Sequence, residues 1–429
     1  MNTTNKYCII GGGPAGLCMA KNLKELGVPF DAYEAASEVG GLWNINNERS
    51  SVYETAHLIS SKKMTEFKDF PMPDDTPDYP SHRILFKYFV DYAHHFKIWE
   101  HYILNTSVEK IEKEDDKWAV TLSSGETKVY KGVLIANGTL SEPNMPQLKG
   151  NFTGEIIHSK EYKSPEIFKD KRVLIVGAGN SGCDIAVDAI HHGKSVSMSV
   201  RRGYHFVPKY VFGKPADTLG GLIKLPRKWK QKFDSFLLGW FVLDAEKYGF
   251  PKADYKLYES HPIVNSLILH HLGHGDISMK ADIDQIDGKK ITFKDGKSEE
   301  FDLILLSTGY KLHYPFMDQK YLNWKDGSPQ LYLNAFHPDY DNLFIVGLLE
   351  ATGLGWEGRN EQAKLIAHFI KAKENNSDKY KSYLEKLKKP FPDMRGGYNY
   401  LKLDRMAYYV HKDTYRNYVK KEIKFFENA

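Results

Sequence analysis

Apolar residues in this chain gather in short, unbroken runs instead of alternating with polar ones. Residues 7–10, 133–136, 173–176 and 343–348 are such runs, each followed or interrupted by glycine or another small residue. Runs of this length and content predict buried strands, of the kind found in parallel sheets covered on both faces. Residues 30–34, 195–200, 277–286, 290–293 and 301–307 supply further strands of the same pattern. Residues 103–111, 118–122 and 127–130 predict a β-meander, with tight turns at Asp115-Asp116 and Ser124-Gly125. Residues 81–95 predict a helix with Leu85, Phe89 and Tyr92 on one face, and a second helix runs through 362–370. Residues 203–275 shift to aromatic, Pro- and Lys-rich composition with helical stretches, and the tail from Asp378 mixes helix and loop.

Two of the strands run into glycine turns and then into helical pattern. The first turn is Gly11-Gly12-Gly13-Pro14-Ala15-Gly16, and the second is Gly177-Ala178-Gly179-Asn180-Ser181-Gly182. In such a turn the first glycine permits the bend and the second lets backbone approach a pyrophosphate. The third allows close helix–strand packing. The unpaired N–H groups of the helix then receive the phosphates. Candidate nucleotide contacts are therefore Gly11, Gly13, Pro14, Ala15 and Gly16 in the first unit. In the second they are Gly177, Gly179, Asn180, Ser181, Gly182 and Asp184.

The residues beyond the two turns differ in charge. Glu34 stands 23 residues after Gly11, at the end of the second strand, where a carboxylate accepts from a ribose hydroxyl and repels a 2′-phosphate. Arg201 and Arg202 stand 24 and 25 residues after Gly177, where guanidinium groups suit a 2′-phosphate. The first site thus fits FAD and the second NADPH. The Gly40-Gly41-Leu42-Trp43 segment lets backbone pass close to a flat group, so Gly41, Leu42 and Trp43 are expected to line the flavin. Thr308 joins them in the turn that returns the chain to the first domain.

The expected architecture is α/β, with two Rossmann-like dinucleotide-binding domains arranged as in glutathione reductase. Residues 1–165 begin the FAD domain, 166–305 form an inserted NADPH domain with a helical insertion at about 203–275, and 306–429 complete the first domain. At 429 residues the chain has room for both cores. A net charge of +4 with dispersed basic residues gives no nucleic-acid footprint. Cys8, Cys18 and Cys183 form no C-x-x-C pair and read as small packing residues. With no leader pattern and a longest apolar run of only 236–243, a cytoplasmic protein without a transmembrane segment is expected. Lysines in 224–232 could touch anionic lipid, but a solvated basic face is the preferred reading. No metal ligand set is expected.

Phe152, Gly154, His158 and Tyr162 stand in the spacing F-x-G-x-x-x-H-x-x-x-Y just ahead of the second glycine turn. Between two GxGxxG turns this spacing resembles the identifying motif of the flavin-containing monooxygenases, and the resemblance covers nearly the whole chain. It implies that NADPH reduces FAD, that O₂ adds as a flavin C4a-hydroperoxide, and that a small soft nucleophile, an amine or sulfide, is oxygenated. The related Baeyer–Villiger enzymes usually carry Trp at the position of Tyr162, so the heteroatom-oxygenating branch is expected. His158 reads as a catalytic base or as a hydrogen-bonded histidine at the domain junction, the second preferred. The resemblance also implies an Asn beside Ser60, where this chain has Ile59. Ile59, Ser60, His158 and Tyr162 are therefore the candidate catalytic residues. Alternatives are a Baeyer–Villiger-like oxygenase, an NADPH oxidase releasing H₂O₂, and a flavin redox sensor or carrier.

Overall fold

The computed structural model describes residues 2–219 and 227–428. Its framework is two five-stranded parallel sheets. The first has the order Leu343–Ile345, Gly132–Ile135, Tyr7–Ile10, Phe30–Tyr33, Tyr102–Ile103. The second has the order Glu155–His158, Leu303–Leu306, Arg172–Val176, Ser195–Ser199, Ile277–Lys280. Central strands such as Tyr7–Ile10, Gly132–Ile135 and Leu303–Leu306 are buried at every position. That is why their sequences are continuously apolar: helices cover one face of each sheet and a largely antiparallel sheet covers the other. In the first sheet the helix Pro14–Glu25 packs on Glu357–Glu374. In the expected helix, which runs His82–His95, Leu85, Phe89 and Tyr92 are all fully buried.

Three expected segments divide differently. Residues 103–111 split, because Asn105 adopts a left-handed backbone (φ 51°) that short polar side chains tolerate. Tyr102–Ile103 closes the edge of the first sheet, while Val108–Glu114 opens the meander with Lys117–Leu122 and Thr127–Tyr130. Residues 277–286 also split: Ile277–Lys280 ends the second sheet, and Ile283–Gly288 enters a four-stranded sheet with Gly150–Phe152. Finally, Glu155–His158 pairs in parallel with Leu303–Leu306, so the change of sheet falls near Gly150 and not at residue 165.

That early crossing explains the spacing of Phe152 and Gly154. A Cβ on Gly154 would lie 2.5 Å from the Asp302 carbonyl and 2.6 Å from the Phe152 ring. The glycine is bare because the aromatic ring and the neighbouring strand occupy its side-chain space.

The least legible region contains a helix, Arg227–Phe241, mounted polar side inward. Buried Gln231 donates to the Leu257 carbonyl (2.7 Å), and Tyr258 donates to Asp234 (2.5 Å), which also pairs with Lys230 (2.7 Å). The outward face carries Trp229, Phe236 and Trp240, which are 69%, 64% and 75% exposed. Of the basic stretch 224–232, residues 224–226 lie outside the described residues, and Trp229 and Lys232 are exposed.

Candidate functional site

Each glycine turn is closed by contacts that exclude a side chain. Gly11 has φ +109°, and a Cβ on it would sit 2.5 Å from the Ala136 carbonyl. On Gly16 it would sit 1.8 Å from the Gly11 carbonyl, and on Gly41 it would sit 2.8 Å from the Gly13 Cα. The Gly40-Gly41 segment therefore lies directly over the first turn. Gly13 caps the helix without a side-chain hydrogen bond and Pro14 opens it, which leaves the first-turn amides unsatisfied by side chains. Ala15 faces Gly347, where a Cβ would come within 2.7 Å.

Glu34 is buried. Its two oxygens accept from the Gly12 amide (2.5 Å) and the Ala36 amide (2.8 Å). Burial raises its carboxyl pKa, and these amides offset only part of that rise. The side chain therefore fastens the glycine turn to the second strand, and each oxygen keeps a lone pair for a further donor.

The second turn repeats the construction. Gly177 has φ +101°, and a Cβ on it would sit 2.5 Å from the Ser307 carbonyl, while one on Gly182 would sit 2.3 Å from the Gly177 carbonyl. Nothing lies within 4 Å of a Cβ on Gly179, which caps the helix Asn180–Ile190 with no side-chain bond. This open floor and uncapped helix end suit a diphosphate. Arg201 is exposed just past the strand Ser195–Ser199, and the Arg202 guanidinium lies 5.3 Å from the Tyr204 ring centroid. Ser181 is half-buried on the first helical turn.

Asn180 and Asp184 are used otherwise than expected. Asn180 accepts from the Val264 amide (2.7 Å) and donates to the Pro262 carbonyl (3.2 Å). Asp184 accepts from Asn265 (2.5 Å) and Tyr53 (3.1 Å), and burial raises its carboxyl pKa. Their side chains clamp residues 262–265 and a loop of the first domain to the second glycine turn. Thr308 likewise spends its hydroxyl on the Asn144 carbonyl (2.6 Å), beside the antiparallel pair Glu142–Pro143 and Tyr310–Lys311 that carries both crossings between domains.

His158 is fully buried, accepts from the Lys160 amide at Nδ1 (3.1 Å) and donates from Nε2 to the Gly309 carbonyl (3.1 Å). Burial lowers its pKa. With both nitrogens engaged, it holds the crossing and has no lone pair free to act as a base. Tyr162, also fully buried, donates to Asp188 (2.8 Å) and stacks on Phe168, with centroids 5.2 Å apart. Both side chains are spent on protein partners that hold strands and helix together.

Trp43 is half-buried where the two largest cores meet, edge-on to Trp356 at 6.3 Å, and Leu42 packs on the second core. Ile59 is half-buried and belongs to none of the four apolar clusters. Beside it, Ser60 pairs with Thr65 (2.7 Å), and the Ser61 amide donates to Asp217 of the second domain (2.7 Å). Lys62, missed from sequence, is buried with its ammonium on the carbonyls of Pro73 (3.1 Å) and Asp74 (2.8 Å). Gly347 and Gln362 were missed too: the Gln362 Oε1 accepts from the Gly347 amide (2.8 Å) below the first turn. A glycine ending an apolar run was the available signal for Gly347.

Two parallel sheets, each delivering a bare glycine turn to an uncapped helix, define a two-dinucleotide oxidoreductase of the α/β class. The family description "Flavin-binding monooxygenase-like" matches residues 4–419, and the chain belongs to that family. It is similar to flavin-containing monooxygenase 1 of Mus musculus, 29% identical over 392 residues, covering 85% of this chain and 74% of the relative. It is 30% identical over 393 residues to flavin-containing monooxygenase 3 of Oryctolagus cuniculus, with coverage again of 85% and 74%. Among solved structures, S-allyl-L-cysteine S-oxygenase from Allium sativum shares the fold with a TM-score of 0.67 at 20% identity, over 98% of this chain and 88% of that one. Cyclohexanone monooxygenase shares it with a TM-score of 0.72 at 18% identity, over 99% and 98%. The protein is a flavin-dependent monooxygenase that uses FAD and NADPH.

Proposed function

We propose that this enzyme transfers one atom of O₂ to a small soft nucleophile, an amine nitrogen or a sulfide sulfur, and reduces the other to water with electrons from NADPH. The observation that carries the reading is the pair of side-chain-free glycine turns with opposite charge beyond them: buried Glu34 after one, Arg201 and Arg202 after the other. The first-sheet domain, residues 1–149 and 307–429, takes FAD. Gly11, Gly13, Pro14, Ala15 and Gly16 hold its diphosphate, Glu34 its ribose, and Gly41, Leu42, Trp43 and Ser60 its flavin edge. The second-sheet domain takes NADPH on Gly177, Gly179, Ser181 and Gly182, with the two arginines at the 2′-phosphate.

Bound FAD supplies the redox chemistry with O₂. The protein's part is to orient, neutralise and exclude water. The crossing held by His158, Thr308 and Asn144 sets how the NADPH domain sits over the flavin. N- or S-oxygenation is supported by the flavin-containing monooxygenase relatives and by Tyr162 in place of Trp. Ile59 favours one second reading, partial diversion of NADPH to H₂O₂, because an alkyl group there offers no hydrogen bond.

Among the described residues no helix is long and apolar enough to cross a membrane. Three buried, unpaired cysteines support a reducing compartment such as the cytoplasm.

The test is NADPH and O₂ consumption with a panel of amines, sulfides and ketones under ¹⁸O₂. An amine or sulfide product carrying one labelled oxygen is expected. Turnover of ketones alone would assign the Baeyer–Villiger branch, and H₂O₂ equal to NADPH with every substrate would assign an oxidase.

A further inference from the structure

Two helices of the second domain end at the same surface patch. Asn180–Ile190 ends at His191, and Leu267–His274 ends at Gly275, which adopts a left-handed conformation (φ 82°). That turn folds the chain back, with the Asp276 amide donating to the His271 carbonyl (3.0 Å). The Asp276 carboxylate is thereby placed 2.8 Å from His271 Nδ1 and 3.7 Å from His274 Nδ1. One ligand atom from each of the three residues lies within 4.8 Å of the others. The His191 ring stands perpendicular to that of His271, with centroids 6.1 Å apart.

We propose that His271, His274 and Asp276 form a binding site for a divalent transition-metal ion of the Zn²⁺ class, with water completing the coordination. Three lines of chemistry support this. Tetrahedral bonds of roughly 2.0–2.1 Å put neighbouring ligand atoms about 3.3 Å apart, and the two separations to Asp276 straddle that value. A set of imidazoles with one carboxylate selects zinc, nickel or copper over magnesium or calcium. The carbonyl ends of two helix dipoles converge there and favour a cation. The ion would take the place of the proton that His271 shares with Asp276. It would tie the end of the helix Leu267–His274 to the start of the strand Ile277–Lys280.

The site is read by calorimetric titration of tag-free, FAD-loaded protein with Zn²⁺, and by the visible absorption of Co²⁺ in its place. One saturable site is expected, and Zn²⁺ should raise the melting temperature. His274, whose side chain is 68% exposed, can be removed with little effect on folding. His274→Ala and Asp276→Asn should weaken Zn²⁺ binding at least as much as loss of an outer-shell partner does, about ten- to a hundredfold, and should abolish the thermal shift. His270→Ala, one position away and exposed, should leave both unchanged. The proposal is overturned if wild type shows no saturable site, if His274→Ala binds as tightly as wild type, or if His270→Ala weakens binding equally.

Discussion

Ile59 is the residue at which this chain departs from what its family resemblance implies. It is half-buried beside a serine and a lysine that are both tied down, yet it joins no apolar cluster. A branched alkyl group in such a place offers no hydrogen bond of its own. One hydrogen bond restored there is worth about 1–3 kcal/mol, or roughly five- to a hundredfold in a rate it controls. Ile59→Asn should therefore lower the H₂O₂ released per NADPH in the absence of substrate, within that range. An unchanged yield would return Ile59 to simple packing. At the other nucleotide site, replacing Arg201 and Arg202 by Gln should raise KM for NADPH about ten- to a hundredfold while leaving that for NADH little altered, because charge-assisted contacts contribute about 1.5–3 kcal/mol. Equal changes for both coenzymes would show that the arginines do not read the 2′-phosphate.

Among the elements, the helix Arg227–Phe241 separates burial from hydrophobicity most clearly. Its polar residues hold it to the protein, and its aromatic residues face outward. Removing a buried hydrogen-bonded amide should cost about 1–3 kcal/mol, because the Leu257 carbonyl loses its partner. Truncating a side chain that is 75% exposed should change stability by less than about 0.5 kcal/mol. Denaturant unfolding of Gln231→Ala and Trp240→Ser should show this order, which is the reverse of what hydropathy alone would suggest. Equal losses would mean that the aromatic face is packed in solution.

The domains are held together by buried polar contacts, and these make the whole molecule sensitive to acid. His261, from the second domain, meets Tyr409 of the C-terminal region at 3.3 Å, and burial holds its pKa at about 3. His337 is held at about 4 and His158 is also lowered, again by burial. A histidine whose folded pKa lies below its unfolded value stabilises the protein fully above the unfolded value of about 6.5. As pH falls below that, the unfolded chain takes up the proton and the folded one does not. Each such histidine then removes about 1.4 kcal/mol per pH unit until its folded pKa is reached. For His261 the window runs from about 6.5 down to about 3. Stability measured from pH 7 to 5 should fall, and His261→Phe should flatten that slope. A parallel slope in the variant would place the titration elsewhere.

Much of the fold was legible because it is encoded locally. Unbroken apolar runs require burial on two faces, and glycines at fixed offsets require positive φ or the absence of a Cβ. Gly11, Gly16, Gly177 and Gly182 meet backbone within six residues or at the adjacent strand end. Gly154 and Phe152 could be recognised as a motif, but not as a ring filling a glycine's empty space. The roles of Asn180, Asp184 and Thr308 were not legible, because their partners lie 82, 81 and 164 residues away and no local periodicity specifies them. The patch at His271 was hidden for the same reason, since only the αL turn at Gly275 brings Asp276 back over the helix end. By itself, then, the chain determined two dinucleotide units, their order and their charge preference, through patterns that act over a few residues. The tertiary structure alone decided which polar side chains face a nucleotide and which are spent holding the domains together, because a buried hydrogen bond goes to whichever partner packing brings within about 3 Å.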